Sequence, residues 1–271
     1  MGLTQRVWRG GGRRFWVAEE YSPSVLHLDK TGKVLMRYIP EGLELTGTDY
    51  PVTPALPGIL KKRKGNRGFD GMGMSESEKL LYLVVQSPMR NPDKKTGDVS
   101  RISRILVFDI ASEKVVAEYA YLFDVSTEFD PKVKPSPTEM KISAITSVLP
   151  TKLLVQERTD EVMKIYMVDT SLATNLIGTK WDDAATSPSL EALTDPAASG
   201  VKVLPKTLVM DFTTMEEIPP KVEGVAVLGP NTIALANDNE FDNLGFDSAG
   251  NNMVLGMKSK IFIIRLPKPL Y

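Results

Sequence analysis

Residues 221–241, KVEGVAVLGPNTIALANDNEF, hold two short apolar strands, 222–228 and 232–236, joined by a turn at Gly229, Pro230 and Asn231. Glu223 stands at the start of the first strand, and the second runs straight into Asn237, Asp238 and Asn239. Acidic and amide groups are costly at the end of an apolar strand unless water, a partner or a cation meets them. Oxygen donors of this kind suit a hard cation such as Ca²⁺.

The same plan stands upstream. FDGMGM at 69–74 repeats the order of VEGVAV: apolar, acid, Gly, apolar, small, apolar. LLYLVVQ at 80–86 then matches TIALAND, an apolar strand ending on a polar residue. Asp70 lies 16 residues before Gln86, and Glu223 lies 15 before Asp238. A weaker third copy spans 142–148 and 153–157, with Ser143 in the acid's place and Glu157 at the far end. An opening strand, FWVAEE, ends on Glu19 and Glu20, and four further strands end on Asp29, Asp109, Asp169 and Asp211.

Repetition of short strands without sustained helical periodicity predicts an all-β chain. Small antiparallel sheets with apolar inner strands point to a β-propeller of four-stranded antiparallel blades, with a β-sandwich as the rival. The copies recur at about 75 residues, longer than common propeller repeats, so insertions must separate the strands. Residues 40–67 carry no period and include the basic run KKRKGNR. Residues 170–206 are polar and irregular, with a short helix expected near 189–193.

Other chemistries are excluded cheaply. With no cysteine there is no disulfide, thiolate nucleophile or zinc–thiolate site. A formal net charge of -1 gives no global pull towards nucleic acid or anionic membrane. No apolar run is long enough for a membrane span, and Met1–Gly12 lacks the apolar core of a signal peptide. The single histidine, His27, alternates with apolar neighbours and would face solvent or a blade interface. Neither a GxSxG elbow nor a P-loop occurs.

FWVAEEYSPSVLHLDKTGKVLMRYIP, LPGILKKRKGNRGFDGMGMS, LLYLVVQSP, RILVFD, TSVLPTKLLVQERTD, KIYMVD and KVEGVAVLGPNTIALANDNEF together resemble the esterase-like activity of phytase family, the phytase-like β-propeller proteins. The resemblance implies a β-propeller, hydrolysis of ester or phosphomonoester bonds, and a periplasmic or secreted setting. Asp70 stands where family members usually carry a glutamate. Members also usually begin with a secretion signal and further strands, so the chain resembles the C-terminal two-thirds of a member. This implies an incomplete propeller over 15–271, with 1–14 a disordered N-terminal remnant.

In a propeller the inner strand ends converge on the axis. The alignment of repeats gathers Glu20, Asp70, Glu157, Glu223 and Asp238 there as ligands of a Ca²⁺ ion, with Gln86, Asn237 and Asn239 beside them. Crowded carboxylates repel one another unless a cation compensates. Arg67 and Arg158, next to strand ends, would grip the anionic part of a small ester substrate. Two readings stay open: a metal-assisted hydrolase, and a non-catalytic binding propeller in which these acids pair with Arg67, Arg101 and Arg158. No residue stands out as general base.

Overall fold

Runs of β-branched and aromatic residues, broken by Gly, Pro, Asn and Asp, make strands along almost the whole chain. The computed structural model describes residues 5–10 as backbone, and 14–130, 132 and 134–271 in full. The first sheet contains β1 (Gln5–Gly10), β2 (Arg14–Glu19), β3 (Ser24–Leu28), β4 (Val34–Pro40) and β5 (Val52–Leu56) in that order, antiparallel except for β4 with β5. The second runs β6 (Phe69–Met74), β7 (Leu80–Val85), β8 (Ile102–Asp109), β9 (Lys114–Leu122). The third runs β10 (Lys141–Leu149), β11 (Lys152–Arg158), β12 (Met163–Asp169), β13 (Lys206–Asp211). After β14 (Val222–Gly229) and β15 (Thr232–Asn237), a small hairpin of β16 (Asn243–Phe246) and β17 (Asn252–Val254) intervenes. β18 (Ile261–Arg265) then completes a fourth, three-stranded sheet.

The sheets follow one another as blades. β1 and β2 lie against β6, β6 against β10, and β10 against β14. Apolar side chains fill each junction. Trp16, Ala18 and Tyr38 meet Met72, Leu81 and Leu83 between the first two sheets. Tyr82, Val84 and Ile105 meet Ile142, Leu153 and Val155 at the next. Leu154 and Ile165 meet Val222, Ile233 and Leu235 at the last. The fold is therefore the expected all-β propeller, here an arc of four sheets. His27 stacks on Trp16 at 4.3 Å between ring centroids, at the junction of the first two blades.

The recurrent terminal aspartates are turn caps. The carboxylates of Asp29, Asp109, Asp169 and Asp211 accept from the backbone N–H and hydroxyl of Thr31, Ser112, Ser171 and Thr213 respectively. Such side-chain caps mimic a backbone turn and end each strand at a fixed point.

Some elements differ from expectation. Gln5–Gly10, within the stretch expected to be disordered, pair in register with β2, while residues 1–4 and 11–13 lie outside the described ones. Val52–Leu56 form a parallel edge strand inside the supposed long loop. Proline at 54 is tolerated because an edge strand can spare an N–H. Lys94–Val99 form a short helix, α1, whose N-cap Asp93 accepts from Thr96 N–H; a second, α2, is Ser126–Phe129. The irregular stretch 170–206 packs Leu176, Trp181, Leu190 and Val201 onto Ile102 and Ala120. There Arg104, fully buried, donates to Glu118 and Glu191.

Candidate functional site: a polar pocket at the blade ends

Backbone contacts between successive sheets set the position of the site. Gly68 N–H donates to Glu20 O at 2.8 Å, Ile142 N–H to Gln86 O at 2.9 Å, and Lys221 N–H to Asp160 O at 2.8 Å. Each bond joins the end of one sheet's second strand to the start of the next sheet's first strand. At Gly68 the approach is so close that a Cβ would lie 2.3 Å from Glu20 O. Only glycine fits there.

Next to these joints the first strands of three sheets break register at the same repeat position. The interruptions fall between Phe69 and Gly71, between Ile142 and Ala144, and between Val222 and Gly224. The bulged residues are Asp70, Ser143 and Glu223. A bulge re-aims the extra residue's side chain. The Gln86 amide donates to the Asp70 carboxylate, and Arg158 Nε donates to Ser143 Oγ at 2.8 Å.

The result is a cavity of about 280 Å³ lined by side chains from all four sheets. Its walls include six carboxylates, Glu20, Asp70, Asp160, Glu223, Asp238 and Glu240, and four cations, Arg67, Lys141, Arg158 and Lys221. Arg158 is buried, and it donates to Ser143, Thr159 O and Asp160, and across to Glu223 on the fourth sheet. Lys141 pairs with Asp160, and Lys221 with Glu240. Arg67 donates to Ser87 Oγ at 2.8 Å. Burial and the nearby Arg158 hold the Arg67 pKa below its ordinary value, against the pull of Asp160, Glu20 and Asp70. Burial likewise lowers the pKa of Lys141, with Arg158 and Arg67 adding to the effect and Asp160 opposing it.

Of the residues expected at the axis, Glu20, Asp70, Glu223, Asp238, Gln86, Arg67 and Arg158 line this cavity. Glu157 lies elsewhere. Register pairs Phe69 with Val85, Ile142 with Glu157 and Val222 with Asn237, so the true counterparts of Gln86 are Arg158 and Asp238. A shift of one residue along a strand turns a side chain to the opposite face. Glu157 is buried between the second and third sheets, accepting from Tyr121 OH at 2.7 Å, Asp124 N–H at 2.6 Å and Lys206 Nζ at 2.8 Å. Burial raises its pKa, Lys206 opposing. The same one-residue offset turns Asn237 away. Its Oδ1 accepts from Lys260 N–H, and its amide donates to Lys258 O. Asn239 donates to Met257 O. Both asparagines tie down the segment that leads into β18. Arg101 caps Phe123 O, away from the cavity.

Sequence reasoning missed Lys141, Asp160, Lys221 and Glu240. A signal for two of them was present: Lys141 and Lys221 each stand two residues before a bulged position, as Gly68 does before Asp70. A larger cavity of about 580 Å³ adjoins the polar one, sharing Arg158 and Lys221 and walled by Val162, Met163, Phe212, Met215, Ile218 and Val222. Among the described residues, no three acidic or imidazole side chains are gathered closely enough to cage a metal ion. Gln86 Oε1 is nevertheless buried beside Asp70 without a hydrogen-bond partner.

Comparison with known proteins places the chain. Hydrazine synthase of Kuenenia stuttgartiensis superposes with a TM-score of 0.38 at 12% identity, over 86% of this chain and 52% of that one. A luciferin-regenerating enzyme superposes with a TM-score of 0.36 at 13% identity, over 97% and 77%. Superpositions this loose carry no argument about chemistry. An uncharacterized secreted protein of Arthroderma benhamiae is 26% identical over 152 residues, which are 51% of this chain and 30% of that protein. The match thus spans less than a third of that relative's length. The model of the phytase-like family, described as esterase-like activity of phytase, matches residues 7–241, and the chain belongs to that family.

Proposed function

We propose that this propeller hydrolyses an anionic ester, phosphomonoester or carboxylate, bound in the polar cavity at the blade ends. Family membership supports an esterase-like role. The observation that carries the finer reading is the gathering of Arg67, Lys141 and Arg158 in one cavity, where burial depresses Arg67 and Lys141. A guanidinium offers two parallel donors to an anion bound there. Arg67 is the favoured anchor, since Arg158 is already held by Ser143, Asp160 and Glu223. Asp70, oriented by the Gln86 amide, is placed to accept a proton from a water in the same cavity. The apolar part of the adjoining cavity, with Met163, Phe212 and Ile218, suits the ester's non-polar portion.

Ca²⁺ belongs to the proposal. The partnerless Gln86 Oε1 next to Asp70 is the observation that supports it, because a buried amide oxygen with no donor of its own suits a hard cation. Asp70, Gln86 and Glu20 would hold the ion, which when bound would polarise an ester oxygen. A secreted setting, the one named for the Arthroderma relative, goes with this reading.

The saturation of Arg158 by acids favours a second reading, a non-catalytic propeller with a structural ion network. Hydrolysis of 4-nitrophenyl phosphate and 4-nitrophenyl acetate, with Ca²⁺ and with chelator, separates the two. Turnover lost in both Arg67→Ala and Asp70→Asn supports the hydrolase; no turnover of either ester by folded protein leaves the binding module.

A further inference from the structure

Residues 40–67 and 170–206, the two long stretches without a strand period, belong to the first and third sheets. Stretches of this length inside a compact domain usually carry function. They meet at one place. A cavity of about 700 Å³ is walled by 53–59 from the first stretch, by Ile177 and 182–184 from the second, and by 112–115 at the turn between β8 and β9. It has no described lining residue in common with the polar cavity at the blade ends. Its floor is apolar. Leu56 and Ile59 belong to the core between the first two sheets, and Ala55, Val115 and Ala184 pack against that core. Volume and floor suit a small organic ligand.

The polar part of the wall is mainly acidic, with Glu41, Glu113, Asp182 and Asp183 against Lys61 and Lys114. Asp183 accepts from Ala185 N–H at 2.9 Å and so closes its own turn. Asp182 differs. Its Oδ1 is buried and has no hydrogen-bond partner among the described residues. Burial raises its pKa, and Arg104 is the cation that opposes the rise.

That guanidinium is already engaged. It donates to Glu118, to Glu191 at 2.8 and 3.0 Å, and to Trp181 O at 3.0 Å. Glu118 is fully buried in the same network, and its Oε2 also lacks a donor among the described residues. Three carboxylates, Glu118, Glu191 and Asp182, thus share one arginine, and two of their oxygens go unserved. A buried acceptor left in that state is destabilising until a donor reaches it. Of the two carboxylates with an unserved oxygen, Asp182 is the one in the cavity wall.

We propose that this cavity binds a small organic cation, a primary ammonium on an apolar body. The ammonium donates to Asp182 Oδ1 on the side of Glu41, and the apolar body lies over Leu56, Ile59 and Val115. An ammonium brings three donors together with the positive charge that the Arg104 network lacks. An anionic ligand would meet four carboxylates here, so this cavity selects the charge opposite to that favoured by the polar one.

Thermal denaturation and calorimetric titration of the whole chain with hexylamine, hexan-1-ol and hexanoate test this. Hexylamine is expected to bind saturably and raise the melting temperature, while its neutral and anionic counterparts leave it unchanged. Asp182→Asn, with wild-type circular dichroism, should weaken hexylamine binding by about tenfold or more, the worth of a hydrogen bond to a charged group. Glu41→Gln should weaken it by a smaller factor. A wild type that hexan-1-ol stabilises as much as hexylamine overturns the proposal, as does one that binds no hexylamine at millimolar concentration. So does a folded Asp182→Asn protein that binds hexylamine as the wild type does. If Asp182→Asn does not fold, the comparison of hexylamine with hexan-1-ol on the wild type decides alone.

Discussion

Arg158 of the third sheet donates to the Glu223 carboxylate of the fourth, while its Nε holds Ser143 on its own sheet. One guanidinium thus closes the wall of the polar cavity between two blades. Removing one partner of a buried pair leaves the other charge uncompensated. Arg158→Ala is expected to cost about 3 kcal/mol, the low end for such pairs because the Asp160 carboxylate reaches solvent. Urea denaturation measures it. Arg158→Lys should recover only part of the loss, since an ammonium cannot reproduce the fork.

Gly68→Ala drives a methyl into Glu20 O and breaks the backbone bond joining the first two blades. The expected loss is about 1–3 kcal/mol by overpacking. Gly65→Ala, whose Cβ would meet nothing within 4 Å, is the matched control and should be near neutral. Chemical denaturation of both variants gives the comparison, and equal stabilities would show that the joint yields freely.

Stability at acid pH should depend on Asp124. Burial pushes its pKa up, but hydrogen bonds from Lys206 and Tyr166 outweigh this and leave it below the ordinary value. A carboxylate depressed in the folded state contributes stability that is whole above its unfolded pKa of about 4 and disappears as pH falls through the folded value. Glu157, raised by burial, acts in the opposite sense: its contribution is present at low pH and is lost as pH rises through its folded value. Melting temperatures from pH 6 to pH 3 should therefore fall more steeply for the wild type than for Asp124→Asn. Parallel curves would remove Asp124 from the acid limb.

Calcium should raise the melting temperature of the wild type, and chelator should reverse the shift. Bound ligand stabilises by mass action, about 2.7 kcal/mol at a hundredfold excess over its dissociation constant. Asp70→Asn should abolish the shift and Asn239→Ala should leave it intact, because Asn239 is engaged with Met257 O outside the cavity. An Asp70→Asn protein that responds to Ca²⁺ as the wild type does would move the ion elsewhere.

Much of the architecture was legible in the chain. The echo between FDGMGM and VEGVAV places β6 and β14 in equivalent positions, and the apolar runs around them locate the inner strands. Most of the expected axial residues line one cavity because the repeat alignment was right in the second and fourth sheets. It slipped by one residue in the third, whose copy is weakest, and one residue is enough to exchange Glu157 for Arg158. β5, with Pro54 at its centre, and the hairpin of β16 and β17 were hidden because edge and surface strands lack an apolar alternation to betray them. The ion partners Asp160 and Glu240 sit in turns, where residue type says little about direction.

Asp70, Ser143 and Glu223 occupy the surplus position of a broken strand register, so none of them belongs to the apolar layers between blades. An acid, a hydroxyl and a longer acid fill equivalent slots in one molecule without disturbing how its sheets stack. The cavity's chemistry can thus be rewritten one slot at a time on an unchanged frame, which makes these three positions the natural place to install a different reactivity.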